Sequence, residues 1–205
     1  MSQTQIDVID QLVGIAPGSA LDRVRSNRKA ARDNAQLSYE ALFTPQAVGT
    51  VPLEERFALA WFVAGLHRNE AVANFYRQGL DASNRPDLAN AIAAEIRRGE
   101  TSGPYGSYPA GPLSGEDEAG LIYAPDPANR AALGRLEAAL VHAHLLVFRP
   151  RDASSAALQA LLDAGWSTDD IVTLSQLVAF LSFQIRVVTG LTALAASQQQ
   201  SVAAE

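Results

Sequence analysis

Ten consecutive residues, Phe57-Ala-Leu-Ala-Trp-Phe-Val-Ala-Gly-Leu66, carry no polar side chain. The residues before them read as a helix start. Thr50 can cap, Pro52 suits a first turn, and Glu54 and Glu55 favour the positive end of a helix dipole. A helix that is apolar all round must be packed on several sides, so this one is central. Alanine, the best helix former, is spread along the whole chain, which extends the argument to the remaining segments. The expected fold class is all-α. With 205 residues, 48% of them hydrophobic and 19% charged, the chain fits one domain, or two small halves sharing a core.

Apolar spacing and end signals place the other helices. A short one spans residues 4–15 and stops at Ala16-Pro17-Gly18. A second starts at Ser19, with Asp22 at its third position, and fades near Tyr39 to Phe43. Residues 1–45 thus form an N-terminal helical extension. Beyond the central helix, residues 69–80 bury Val72, Phe75 and Tyr76. Residues 86–99 bury Leu88, Ile92 and Ile96 and end at Gly99. Residues 100–127 form a long loop punctuated by Gly and Pro, with Tyr105, Tyr108 and Tyr123 as anchors on this protein or on a neighbouring subunit. Asp126-Pro127 then opens one helix running to Phe148. Asp152 can cap a short helix closed by Gly165, and Ser167-Thr-Asp-Asp170 is a capping-box-like start. The last helix uses Ile171, Leu174, Leu177, Val178, Leu181, Ile185, Val188 and Leu191, and the polar tail after Ser197 is expected to fray.

Net charge is −6, and the only dense basic stretch is Arg23, Arg25, Arg28, Lys29 and Arg32. It reads as a solvated helix face, with an acidic-partner patch as the alternative, and nucleic-acid binding is not expected. The absence of cysteine rules out disulfides and Cys-based zinc sites. Met1 to Asp10 has acids and no basic n-region, so it is not a secretory signal. Ser175, Gln176, Ser182, Gln184 and Arg186 interrupt the last helix, which therefore reads as a core helix and not a membrane span. The expected location is the cytoplasm. Glu54-Glu55 before Val63-Ala-Gly-Leu66, and Asp169-Asp170 before Val178-Ala-Phe-Leu181, repeat at one offset. This is either a structural repeat or shared helix grammar.

Two stretches carry a family resemblance. Leu53-Glu-Glu-Arg-Phe-Ala-Leu-Ala-Trp-Phe-Val-Ala64 resembles the helix leading into the Cys-x-x-Cys motif of the alkylhydroperoxidase D-like, or carboxymuconolactone decarboxylase, superfamily. Leu158 to Val172, with Phe180-Leu-Ser-Phe-Gln-Ile-Arg-Val-Val-Thr-Gly-Leu191, resembles the closing helices of its peroxidase-related branch, where Phe-x-x-Arg leads to Gly-Leu. The resemblance implies an all-α fold, usually in tight oligomers. The family's redox chemistry uses two thiols, a glutamate and a histidine. Carried over without gaps from Glu55-Arg56, these positions fall on Asn69 and Val72 for the thiols, Phe57 for the glutamate and Tyr76 for the histidine. None can form a sulfenate or a disulfide.

His67, His142 and Arg186 are the candidates for remaining chemistry. His67 ends the central helix, either as a charge partner for its dipole or as a general base at the mouth of the former thiol pocket. His142 and His144 lie two apart, point to different faces and cannot share a metal; one is expected to be structural, and no metal or cofactor is expected. Arg186, the only positive charge of the last helix, needs a carboxylate such as Glu137, Glu55 or Asp170, or else grips an anionic ligand. Trp61 and Tyr76 read as core. The first functional expectation is a non-redox binding or scaffold subunit. It would be a homo-oligomer joined through the tyrosine-bearing loop, with a cysteine-bearing relative as its candidate partner. The second is a cofactor-free decarboxylase or lyase on a small carboxylated substrate, with Arg186 holding the carboxylate and His67 or His142 moving a proton. A third is peroxidase activity carried over from relatives.

Overall fold

The computed structural model describes residues 7–203, with side chains through residue 198. The described residues form ten α-helices and no strand, so the fold is all-α. The helices are α1 (Val8–Val13), α2 (Ala20–Ser26), α3 (Lys29–Phe43), α4 (Leu53–Leu66), α5 (Glu70–Asp81), α6 (Pro86–Gly99), α7 (Arg130–Leu133), α8 (Leu136–Phe148), α9 (Ser155–Asp163) and α10 (Thr168–Ala203).

The apolar run does become the centre. Eight of its ten residues are buried, and α5, α6, α8 and α10 all pack around α4. The second centre is α8, where Leu136, Ala139, Leu140, Ala143, Leu145 and Phe148 are buried. Trp61 and Tyr76 are core, as their spacing predicts. Val8, Ile9, Ala35, Leu42 and Phe43 belong to the same buried cluster, so residues 7–45 are built into the one core and are not an appendage. Residues 4–6 of the first expected helix lie outside the described residues.

Several helix boundaries differ from the sequence reading, each for a local reason. The helix from Ser19 is two helices, broken at Asn27 and Arg28. Thr50 does not cap α4; its hydroxyl binds the Asp170 carboxylate at the start of α10 instead. The segment after Asp126-Pro127 is a short 3-10 turn, then α7, then α8, bent by 109°. Gly134 makes the break with φ of 53°, a left-handed conformation that glycine adopts at no steric cost. Ser154, not Asp152, caps α9, because the Asp152 carboxylate accepts the Ser107 amide from the long loop at 2.8 Å. The start of α10 forms as expected: Ser167 Oγ accepts the Asp170 amide at 3.1 Å, and Asp170 Oδ2 accepts the Ser167 amide at 2.9 Å. The tail does not fray at Ser197, and α10 continues to Ala203. Among the described residues, α10 alone is a single helix long and apolar enough to cross a membrane, with Leu174, Leu177, Leu181, Ile185 and Val188 turned into the protein core.

The basic stretch is a solvated face only in part. Arg25 is buried between the Asp7 and Asp10 carboxylates, and Arg32 bridges Asp10 and Asp22. These pairs lock α1, α2 and α3 together. Only Arg23, Arg28 and Lys29 are exposed.

The long loop is held from within. Tyr105 and Tyr123 are each 3% exposed. Tyr105 donates to the Leu121 carbonyl at 2.7 Å, and Tyr123 donates to Glu95 at 2.7 Å. Tyr108 lies under the Arg151 guanidinium at 4.2 Å. All three tyrosines make contacts within the protein, Tyr105 and Tyr123 buried and Tyr108 half-buried.

Candidate functional site

Phe57, Asn69, Val72 and Tyr76, the positions that the resemblance singles out, hold packing and capping side chains. Tyr76 is fully buried, and its hydroxyl donates to Gln184 Oε1 at 2.6 Å. Its ring lies 4.8 Å from Phe43 and 6.5 Å from Phe57. Phe57 presses against Gly79, where any β-carbon would lie 2.3 Å from its ring. Val72 is buried, and Asn69 caps α5 by accepting the Val72 amide at 3.0 Å. Asn69 also donates to Thr189 Oγ1 at 3.1 Å. Val72 and Tyr76 thus belong to the packed core, while Phe57 and Asn69 are half-buried at its edge.

A cavity of about 550 Å³ opens nearby, and it collects two of the three candidate residues, His67 and Arg186. His67 reaches it because α4 ends there. Ser175, Val178, Ser182 and Arg186 come from one side of α10, and Leu146, Val147 and Phe148 supply an apolar wall from the end of α8. His67 Nε2 and Ser182 Oγ are 3.4 Å apart. Burial, and then the Arg186 charge, push the His67 pKa below its ordinary value, so the imidazole is neutral at pH 7. A neutral ring cannot serve as the charge partner of the α4 dipole; it can accept a proton.

Arg186 is exposed, and its Nη1 donates to the Ser182 carbonyl at 2.8 Å. It forms no ion pair among the described residues. Each expected partner is engaged elsewhere: Glu55 with Arg135 at 2.6 Å, Glu137 with Arg130 at 3.2 Å, and Asp170 with Thr50 and Ser167. The guanidinium therefore faces the cavity mouth with donors to spare.

His142 stands apart. It is 6% exposed and meets Ser175 Oγ through Nε2 at 2.9 Å. Burial lowers its pKa. It thus lies behind the first cavity while lining a second, of about 620 Å³, between α8 and α9. His144, two residues on, is the structural one: Nε2 meets the Gly99 carbonyl at 3.0 Å, and the ring stacks on Tyr123 at 4.8 Å. Burial brings its pKa down to about 4. No group of three or more His, Asp or Glu side chains among the described residues could hold a metal.

Three buried polar residues escaped the sequence reading. Arg56 is buried and donates to the Val51, Leu42, Ala41 and Val48 carbonyls, tying the connection before α4 to its first turn. Glu95 is fully buried and accepts from Tyr123, the Asp126 amide and Asn129 Nδ2. Gln184 is the partner of Tyr76. The signal for Glu95 was present, since it follows Leu88, Ala91 and Ile92 on one helical face.

Comparison with protein-family models, with curated proteins and with solved structures finds no match to this chain.

Proposed function

We propose that this chain is a non-redox protein that binds small carboxylates in the cavity of His67, Ser182 and Arg186. One observation carries the reading: an arginine without a carboxylate partner at the mouth of a cavity that has one apolar wall and the side chains of His67, Ser175 and Ser182 opposite it. Guanidinium matches a carboxylate bidentately, and the Val147 and Phe148 wall suits an apolar body behind it. The absence of cysteine supports the non-redox part of the proposal, as does the full burial of Val72 and Tyr76. The reading fits a cysteine-free relative of the peroxidase-related alkylhydroperoxidase D-like proteins, a relationship that rests on the two stretches quoted above.

Calorimetric titration with benzoate tests it. Saturable binding is expected, with a loss of about tenfold or more in Arg186→Ala and an unchanged melting temperature. No binding to the parent protein, or equal binding by Arg186→Ala, rejects it. Hydroperoxide turnover by the pure protein would reject the non-redox part.

A second reading is favoured by one feature. The neutral His67 ring lies beside both Ser182 and Arg186, which is an arrangement for moving a proton on a bound carboxylate substrate, as a decarboxylase or lyase does. Substrate consumption that His67→Gln abolishes, with benzoate affinity intact, separates catalysis from binding. Assembly belongs to the same proposal. The loop tyrosines are occupied, but Val172, Phe183 and Leu194 leave apolar surface exposed along α10 for a second copy or a cysteine-bearing relative. Light scattering on a sizing column is expected to give a mass above 21.8 kDa, and a clean monomer rejects the homo-oligomer.

A further inference from the structure

From Asp169 to Arg186, α10 has six exposed residues: Asp169, Val172, Gln176, Ala179, Phe183 and Arg186. Their spacing alternates between three and four, the heptad stripe of a helix that packs along another helix. The residues between them are buried or half-buried, so the stripe is the solvent side of α10. Val172 is 50% exposed and Phe183 45%.

Charge gives the stripe a direction. Asp169 stands at one end and Arg186 at the other. Asp169 engages only its backbone carbonyl, which accepts from Thr173, and Arg186 donates only to the Ser182 carbonyl. Neither forms an ion pair among the described residues. Laid parallel on a second copy, the stripe would set Asp169 on Asp169 and Arg186 on Arg186, and like charges repel. Laid antiparallel, with a two-fold axis level with the Leu177–Val178 bond, it complements itself. Asp169 meets Arg186 of the partner subunit, Val172 meets Phe183, and Gln176 meets Ala179 beside the axis. Each pairing is made twice, as an isologous interface requires.

Gly190 continues the stripe one turn beyond Arg186. Glycine inside a helix is less favourable than alanine, yet nothing lies within 4 Å of where its β-carbon would stand. Packing within the chain therefore does not call for it. In the antiparallel pairing it comes level with the turn at Gly165 of the partner subunit, where two backbones must pass.

We propose that α10 is a two-fold dimer interface, with a second copy of this chain lying antiparallel on the stripe from Asp169 to Arg186. The inference rests on the assembly reading above and fixes its partner, face and register. Val172 and Phe183 supply the apolar contact. The rim ion pair sets register more than strength, because exposed pairs contribute little. The pairing also joins assembly to the carboxylate cavity: Asp169 of the partner subunit and a bound carboxylate seek the same guanidinium, so each weakens the other.

Sedimentation equilibrium on the full chain tests it. The parent is expected at twice 21.8 kDa. Asp169→Arg and Arg186→Asp are each expected to weaken the dimer about tenfold, and the double variant to return to within about threefold of the parent. A mere folding defect would not be rescued by the second reversal. Since the chain has no cysteine, introduced thiols report the register. Val172→Cys mixed with Phe183→Cys is expected to give a disulfide-linked dimer in air, and neither variant alone, because like positions lie about 16 Å apart along the helices. Benzoate at a concentration that saturates in calorimetry is expected to weaken the parent dimer about threefold or more. A monomeric parent overturns this inference together with the assembly reading. An oligomer indifferent to the charge reversals, a double variant no tighter than the single ones, a mixture that does not cross-link, or saturating benzoate without effect on the dimer overturns this inference alone. Should benzoate not bind, the carboxylate reading falls, and the charge reversals and thiols decide the interface without it.

Discussion

Two cavities flank α8, and arginines sit at both. At the α8–α9 cavity, Arg130 and Arg135 each meet a glutamate, and Arg135 also covers the Trp166 ring. At the α4–α10 cavity, Arg186 meets only a backbone carbonyl of its own helix. The residue type is the same, but its electrostatic availability is not. An arginine already neutralised by a neighbour is structural, whereas one left with free donors beside an apolar wall is poised for an anion. What distinguishes the sites is which carboxylates the fold brings near, and that depends on contacts far apart in sequence, such as Glu55 with Arg135.

The largest expected effect concerns the wall the cavities share. His144 holds α8 against Gly99 and Tyr123, and burial brings its pKa down to about 4 from an ordinary 6.5. The unfolded chain takes up the proton first as the pH falls, so this stabilisation is complete above pH 6.5 and is lost progressively down to about pH 4. The expected loss is about 3 kcal/mol, read from urea midpoints across that range. A flat profile would show that α8 does not depend on a neutral His144. Next, Arg135→Ala is expected to cost about 2 kcal/mol, because it removes the Glu55 pair, the cover on Trp166 and a bond to the Thr50 carbonyl. Glu137→Gln should convert one kind of rim toward the other: with Arg130 released, benzoate gains a weak second site, worth about 1 kcal/mol of added attraction, visible as a second calorimetric phase. Smallest is Arg186→Ala, expected to change stability by less than about 0.5 kcal/mol. A loss as large as that of Arg135→Ala would erase the distinction between the two arginines.

Much of this architecture was legible because it is local. The apolar run of α4, the helix start at Ser19 and the reciprocal Ser167–Asp170 bonds all follow from residues within a few positions of one another. The site was half legible. His67 and Arg186 could be named from their positions at a helix end and on an apolar helix, but their meeting at one cavity is a matter of α4 packing on α10. The basic stretch misled because its partners are dispersed: Asp7 and Asp10 belong to another helix, and spacing along α2 and α3 carries no trace of them. Arg56 was hidden for the opposite reason. It satisfies its charge with carbonyls, which every residue owns and no sequence pattern marks.

Glu95 has a consequence for how the molecule meets proteases. Residues 100–127 have the glycine and proline content that usually advertises a cleavable tether. Yet one carboxylate beneath them takes the Tyr123 hydroxyl, the Asp126 amide and the Asn129 side chain together. Toward the other end, Asp152 takes the Ser107 amide and Arg151 covers Tyr108, so the strap is buckled near both ends. Nicking of this stretch should therefore report on the detachment of the whole segment from α6, and not on wobble at any one of its glycines.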